Sequence, residues 1–272
     1  MEELYDFSVD FQGIWWSIFY NIFERLENIK VKMTFVVTFL IDMPYTNKDN
    51  FLMAVDCVIF GFDHNRLMLL LYKRDFEPEK GKWSLMGGFL KSNETLDEAA
   101  ARVLAVITGI RNIYLEQLSA FSEVNRDPAA RVISIGYYSL INIYDYDELM
   151  LKKYGAKWFA INELPGLIFD HRDIVEKALR RLKRKSKTQP IGFELLPANF
   201  TITMLRNLYE AIYQRQMDPA NFRRKFMSMD LLDRLPIKDK NGSKKGSFLY
   251  AFNQEKYKHE TSNGFSFDLS GV

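Results

Sequence analysis

The residues whose types and spacing together suggest chemistry lie in one short segment of this sequence. Gly88, Glu94, Arg102 and Gly109 are separated by six, eight and seven positions. The single cysteine, Cys57, lies in an apolar stretch and is expected to be a buried side chain rather than a nucleophile. The three histidines have no flanking motif that would identify a catalytic base. The fixed spacing of the two glycines, the glutamate and the arginine is therefore the strongest indication of function.

The segment that carries this spacing resembles the Nudix box. The family pattern is G-x5-E-x7-R-E-U-x-E-E-x-G-U, where U is a bulky aliphatic residue. The matching positions are Gly88, Glu94, Arg102, Leu104, Gly109 and Ile110. The resemblance extends over about residues 50 to 180. It implies a Nudix fold, an α/β/α sandwich in which Glu94 and Arg102 hold the loop to the helix.

The metal-binding positions of the box have lost their carboxylates. In the Nudix family, three glutamates hold divalent cations that stabilise charge during hydrolysis of a nucleoside-diphosphate bond. Here those positions are Val103, Val106 and Ile107, which cannot ligate Mg²⁺ or Mn²⁺. At about 100° per residue they share a helical face with the preceding apolar residues, so this face is expected to continue the apolar stripe. The sequence predicts no metal site, no catalytic residue, no cofactor and no enzymatic activity.

The alternative is a hydrolase with rearranged metal ligands. Carboxylates outside the three altered positions are available at Glu98, Glu116, Glu123 and Asp127. Such a protein would be a Nudix-type pyrophosphohydrolase acting on ADP-ribose-like nucleotides. Turnover of ADP-ribose that depends on magnesium or manganese would separate it from a non-enzymatic protein.

The elements that must position the box indicate a mixed α/β domain. The expected elements are strands at 53–62, 67–73 and 132–143 and helices at 96–108 and 173–185. A polar turn at His64 makes the first two strands a hairpin. Asn93 or Thr95 would cap the first helix, and Gly109 would end it. Asp170 and His171 precede the second helix, where capping or fixing a loop is the expected role.

Length and composition indicate two globular domains and a further N-terminal segment. The chain has 272 residues with 47% hydrophobic positions, and its 37 basic residues exceed its 35 acidic residues by 2. A nucleic-acid surface would therefore be a local patch. We expect an N-terminal extension at 1–45, a degenerate Nudix effector-sensing domain at 46–187 and a winged-helix DNA-binding domain at 188–272. The lone thiol fits a reducing compartment, so a cytoplasmic location is expected.

The first fifty residues contain eleven aromatic side chains. The longest apolar run there, 33–41, is shorter than the roughly 18 residues that a membrane span needs, and no membrane partner is expected. Three interpretations stay open. The segment packs on the core, lies at an interface as an amphipathic element, or is upstream sequence read from the wrong initiator, with Met33 or Met43 as the true start.

Residues 180–187 form a basic run at the end of the second predicted helix. Its members are Arg180, Arg181, Lys183, Arg184, Lys185 and Lys187. One interpretation is a solvated helix end that the helix dipole favours. The other is a linker between domains that contacts phosphate.

Residues 191–272 show the pattern of a helix-turn-helix followed by a hairpin. Thr201 can cap a helix whose apolar residues recur at i, i+3, i+4 and i+7, namely Leu205, Leu208, Tyr209 and Ile212. Asp218 and Pro219 can begin a second helix with Phe222, Phe226 and Met229 inward. Residues 235–240 and 247–252 then read as a hairpin with a basic tip around the turn Asn241-Gly242.

The second helix carries the residues expected at DNA. Asn221, Arg223 and Arg224 point away from its apolar side and suit base edges in the major groove. Phosphate contacts are expected from Lys225 on the helix and from Lys244 and Lys245 at the hairpin tip. Two amphipathic helices and a hairpin also occur in protein-interaction modules, so a module that neither hydrolyses nor binds DNA stays open.

A Nudix-like domain followed by this pattern resembles the Nudix-related transcriptional regulators, with the closest likeness to their arabinose- or pentose-responsive branch. The resemblance implies a homodimer that binds double-stranded operator DNA and responds to a small sugar effector, an arabinose- or xylose-like pentose. Polar side chains at Lys73, Asp127 and Arg131 could bind sugar hydroxyls, and the simpler alternative for them is a surface ion pair.

Overall fold

The computed structural model describes residues 51–63, 65–146, 151, 154–240, 245–264 and 266–269. The expected N-terminal extension at 1–45, His64 and the turn Asn241-Gly242 lie outside this part. Within the described residues, no helix is both long and apolar enough to cross a membrane.

A mixed sheet forms the centre of the first domain. Its strands are β1 (Leu52–Asp63), β2 (Arg66–Lys73), β3 (Trp83–Ser84), β4 (Met86–Phe89), β5 (Glu116–Phe121), β6 (Val132–Leu140) and β7 (Ala156–Ala160). The order is β3-β2-β1-β6-β5, with β4 also paired to β1 and β7 to β2. β1 runs parallel to β6 and antiparallel to β2, which confirms the expected hairpin. The strand expected to reach residue 143 ends at Leu140, because Asn142 caps a short 3₁₀ turn over Ile143–Asp145.

Two helices cover the two faces of this sheet. α1 (Leu96–Thr108) packs on the face that includes Val55 and Cys57 of β1. α2 (His171–Thr188) packs on the opposite face, which includes Val58 and Phe60. Successive strand side chains point to opposite faces, so the nearly continuous apolar run of β1 supplies both cores. The expected α/β/α sandwich is confirmed.

Capping residues fix both ends of α1. The hydroxyl of Thr95 accepts a hydrogen bond from the backbone N–H of Glu98, and the Glu98 carboxylate accepts one from the backbone N–H of Thr95. This reciprocal pair is a capping box. Gly109 ends the helix with a φ of 77°, a left-handed conformation that favours glycine.

The second domain is a winged helix. Its elements are α3 (Ile202–Tyr213), α4 (Pro219–Ser228), β8 (Leu232–Asp239), β9 (Ser247–Phe252) and α5 (Gln254–Ser262). Thr201 caps α3 and Asp218 caps α4, as expected. β8 and β9 pair antiparallel, with an irregularity in register between Arg234 and Lys238. α5 was not expected, because its nine residues have weak helical amphipathicity and bury none of their side chains.

α2 ends at Thr188 and packs against the winged helix that follows it. The hydroxyl of Ser186 in α2 donates a hydrogen bond to the Tyr213 hydroxyl at the end of α3 (2.9 Å). The backbone N–H of Leu269, from the C-terminal segment, donates to the carbonyl oxygen of Lys187 (3.0 Å). The buried residues of α2 belong to the same apolar cluster as those of α3 and α4. The sheet of the first domain and the winged helix therefore share a core.

Candidate functional site

The surviving residues of the Nudix box form a clasp between the loop after β4 and α1. Arg102 donates from Nε to Glu94 Oε2 (2.7 Å), from Nη2 to Glu94 Oε1 (2.5 Å), and from Nη2 to the carbonyl oxygen of Phe89 (3.0 Å). The backbone N–H of Lys91 donates to the same glutamate (2.8 Å). The side-chain hydrogen bonds from Arg102 lower the pKa of Glu94 to about 2. The carboxylate is therefore ionised and already occupied in holding the loop.

The former metal face differs from the expected apolar stripe. Val103 is buried, and a Cβ on Gly88 would lie 2.8 Å from its Cγ2, so this valine fills the space beneath the glycine loop. Ile107 is half-buried and packs on the α1 core. Val106, however, has 66% of its surface exposed. The prediction that all three continue the stripe is wrong for Val106, because that position lies at the edge of the helix that the sheet does not cover.

These three side chains do not fit a divalent metal, since none offers a lone pair to a hard cation. Within the described residues, no group of three or more His, Cys, Asp or Glu side chains is arranged to hold a metal ion. Glu98 is used in the capping box, and Glu116 pairs with Arg181 and Lys185 (3.5 and 2.5 Å). These two carboxylates are therefore engaged in structural contacts.

A buried polar cluster lies on the α2 face of the sheet. Arg126, from the β5–β6 loop, donates from Nε and Nη2 to the two carboxylate oxygens of Asp170 (2.8 and 2.7 Å). Its Nη2 also donates to Asp56 of β1 (3.3 Å), and Ser134 of β6 donates to the same carboxylate (2.6 Å). The cluster joins the β5–β6 loop, the central strands and the start of α2. Asp170 therefore fixes a loop rather than capping α2 with its side chain.

His171 belongs to this cluster and is neutral. The backbone N–H of Leu85 donates to its Nδ1 (3.1 Å), so the ring proton is on Nε2, 3.5 Å from an oxygen of Asp56. Burial lowers the pKa of His171, an effect that the nearby aspartates oppose. The ring therefore links β1, the segment after β3 and α2.

Sequence reasoning missed Asp56 and Arg126. A signal for the aspartate was present, because a charged residue in the apolar stretch around Cys57 must be paired if it is buried. No signal identified Arg126 as its partner, since the two are 70 positions apart.

The expected effector residues occupy two places. Asp127 and Arg131 lie in the β5–β6 loop, where Asp127 accepts a hydrogen bond from the backbone N–H of Ala129 (2.8 Å). Arg131 donates to the carbonyl oxygen of Glu123 (3.3 Å) and lies over the Phe51 ring. Lys73 is exposed at the end of β2, opposite Trp83. No contact described for these residues links Lys73 to Asp127 or Arg131.

α4 presents the expected residues on its exposed side. Phe222 and Phe226 are buried against Tyr209 of α3. Asn221 and Arg224 are exposed one turn apart, and Arg224 donates to the Asn221 side-chain oxygen (2.5 Å). This contact pre-orients an amide and a guanidinium, two groups that bind adenine and guanine edges.

The flanks of α4 and the wing carry further cations. Arg223 donates to the Tyr250 hydroxyl of β9 (3.4 Å), and Lys225 lies 3.8 Å from Asp268. On the wing, Arg234 and Lys238 lie over the Phe248 ring. Lys245 is exposed at the described edge of the wing tip, and Lys244 lies outside the described residues. The basic groups of this domain therefore occur on the helix and on the hairpin.

Comparison with known proteins matches both halves of the chain. The model of the NUDIX domain matches residues 50–182, and that of the NrtR DNA-binding winged helix domain matches residues 192–252. A protein of Acinetobacter baylyi named "ADPR responsive transcriptional repressor NtrR" is 30% identical over 234 residues, which cover 85% of this chain and 93% of that protein. This chain belongs to the NrtR family.

One solved structure resembles most of the chain, and one further relative resembles only its Nudix domain. The crystal structure of Shewanella oneidensis NrtR complexed with a 27mer DNA is similar with a TM-score of 0.66 and 26% identity, covering 79% of this chain and 97% of that one. An ADP-ribose pyrophosphatase of Methanocaldococcus jannaschii is 36% identical over 116 residues, which cover 41% of this chain and 66% of that protein. These NrtR relatives support a Nudix domain joined to a winged helix, and they lend no support to the pentose-responsive branch.

Proposed function

We propose that this protein is a DNA-binding transcriptional repressor whose Nudix domain binds ADP-ribose as an effector and does not hydrolyse it. The observation that carries the proposal is the pairing of two features in one chain. A Nudix fold has Val103, Val106 and Ile107 at its metal positions, and a helix-turn-helix with a basic exposed face follows it. The name of the Acinetobacter baylyi relative supports the choice of effector.

The exposed face of α4 suits the major groove. In this proposal, Asn221, Arg223 and Arg224 contact base edges, and Lys225, Lys244 and Lys245 contact phosphates. A homodimer would place two such helices at half-sites about 10 base pairs, or a multiple of that, apart. The operator is then expected to be pseudo-palindromic.

The effector is expected near the loops at the former catalytic edge of the sheet. Lys73, Asp127 and Arg131 remain the candidate contacts, with the two cations suited to a diphosphate and the carboxylate to ribose hydroxyls. Because ADP-ribose contains two pentose rings, hydroxyl recognition of the kind expected for a pentose is part of its binding. Arg131→Ala should weaken ADP-ribose binding without changing DNA affinity in its absence.

One assay tests the DNA-binding function and its effector together. Fluorescently labelled duplex from the region upstream of this protein's own gene is titrated with protein at low salt, alone and with ADP-ribose, arabinose or xylose. Retardation by the wild type and its loss in Arg224→Ala are expected, with release by ADP-ribose but not by either pentose. Failure of the wild type to bind, or equal binding by Arg224→Ala, would exclude this function.

A second assay tests the enzymatic alternative. The protein is incubated with ADP-ribose and either Mg²⁺ or Mn²⁺, and the release of AMP and ribose phosphate is measured. No turnover is expected, because the valines and the isoleucine provide no metal ligand. Sustained metal-dependent turnover would instead support the pyrophosphohydrolase.

A further inference from the structure

The basic run at the end of α2 is divided by the fold into two groups. Arg181 and Lys185 face β5 and pair with Glu116, and Arg180 pairs with Glu176 (3.7 Å). The other three cations form no ion pair in the described part of the chain: Lys183, Arg184 and Lys187. Arg184 and Lys187 are exposed, and Lys183 is half-buried. The helix end therefore presents three uncompensated charges to solvent.

The end of α2 that carries these charges lies near α4. The carbonyl oxygen of Lys187 accepts the backbone N–H of Leu269, and the neighbouring residue Asp268 pairs with Lys225 of α4. Phe267 of the same segment packs on Phe226 of α4. One short C-terminal segment thus contacts both the end of α2 and α4, which brings the end of α2 near α4.

The position of the helix end is firmly held. Ser186 is buried and bonded to Tyr213, and Leu182 is buried in the core shared with the winged helix. A rigid row of cations next to a DNA-reading helix suits the phosphate backbone, whose negative charges continue on either side of the bases being read. A purely solvated helix end needs no such fixed place beside α4.

We propose that Lys183, Arg184 and Lys187 form a second DNA-contact surface, which binds phosphates adjoining the base pairs read by α4. The proposal rests on the DNA-binding function proposed above and adds a contribution from the sensor helix itself. Because α2 begins at the buried cluster of Arg126 and Asp170, part of the DNA affinity would be carried by the helix that also touches the sensor loop.

The test is the salt dependence of DNA affinity. The triple variant Lys183→Gln, Arg184→Gln, Lys187→Gln and the wild type are titrated against the same upstream duplex over a range of salt concentrations. Removing one cation that binds a phosphate should reduce the slope of log affinity against log salt by about 1, so the slope of the triple variant should fall by about 3. Arg172→Ala, exposed at the opposite end of α2, is the matched control and should keep the wild-type slope.

A conservative variant and a neutral-phosphate scan complete the design. Lys183→Arg, Arg184→Lys, Lys187→Arg keeps the charges and should keep the slope, which separates charge from folding. Duplexes that each carry one methylphosphonate should include positions that weaken the wild type but not the Gln triple variant.

Two outcomes overturn the proposal. If the wild type binds and the Gln variant has an unchanged slope, the helix end is only solvated and the repressor function survives. If the wild type does not bind duplex DNA at all, the proposed function fails and this surface fails with it.

Discussion

Arg126 is the residue on which the buried polar cluster depends, because it is the cation shared by two carboxylates. Its guanidinium contacts Asp170 bidentately and Asp56 singly, and all three side chains are largely buried. His171 contributes no charge there, since its Nδ1 accepts a backbone hydrogen bond and burial lowers its pKa. The paired arginine and the neutral histidine each lead to a prediction about stability.

Arg126→Met should destabilise the protein strongly. Removing the cation leaves the buried carboxylates of Asp56 and Asp170 without a compensating positive charge, which costs about 3 to 5 kcal/mol of unfolding free energy. Urea unfolding followed by tryptophan fluorescence measures the change. Arg131→Ala, in the same loop but partly exposed, is the control and should cost less than about 1 kcal/mol. A small effect for Arg126→Met would mean that water or movement of the loop compensates the charges.

His171 should make stability fall in mild acid. Its pKa is lowered below 6.5 in the folded state, so the unfolded chain binds the proton first as the pH falls. Stability is fully present above about pH 6.5 and decreases below it, by at most about 1.4 kcal/mol per pH unit. Urea midpoints measured from pH 7.5 downward should decline less steeply in His171→Gln. Equal declines in the two proteins would show that the ring is not held neutral.

At the scale of elements, α1 and the loop before it are held together by contacts close in sequence. The Glu94–Arg102 clasp, the capping box and Gly109 are local features that hold the loop and helix together. The former metal positions have different environments: Val103 is 3% exposed, whereas Val106 is 66% exposed. One of these aliphatic side chains therefore lies in the core and another on the surface.

Val103→Ala and Val106→Ala form a matched pair that tests this difference. Val103→Ala should lower the free energy of unfolding by about 2 kcal/mol, because it removes buried methyl groups and leaves a cavity beneath Gly88. Val106→Ala should change it by no more than about 0.5 kcal/mol. Chemical denaturation measures the change in the free energy of unfolding for the two variants. Equal decreases would restore the expectation of a continuous apolar stripe.

At the scale of the whole described unit, α2 is the element that both domains share. It covers one face of the sheet of the Nudix domain, pairs with β5 through Arg181 and Lys185, and contacts α3 through Ser186. Phe51–Val272 accordingly forms one compact unit. The two domains are therefore expected to unfold together rather than in two steps.

Leu182→Ala tests this cooperativity. The side chain is fully buried in the shared core, so its truncation should cost about 2 to 5 kcal/mol. In a background with Trp15 and Trp16 replaced by Phe, Trp83 and Trp158 report on the Nudix domain by fluorescence, and far-UV circular dichroism reports on all helices. Both signals should shift to the same lower urea midpoint, while Arg180→Ala should leave both unchanged. Separate midpoints would show that the domains unfold independently.

The sequence by itself determined what depends on local patterns. The helix at 96–108 with its cap, the β1–β2 hairpin and the helix-turn-helix all follow from spacing, capping residues and turns, which act within a few positions. The aliphatic residues at the three metal-binding positions of the Nudix box are also evident from the sequence. α5 escaped prediction because its sequence has little periodicity, and its place depends on packing of Tyr257 against Phe252.

Only the tertiary structure decided what depends on distant partners. The pairing of Arg126 with Asp56 and Asp170, the exposure of Val106 and the division of the basic run by Glu116 all arise where segments far apart in sequence meet. Charge and burial are properties of the surroundings of a side chain, and a linear pattern does not specify those surroundings. For this reason the sequence could identify the helix-turn-helix, whereas the structure was needed to place the end of α2 near α4.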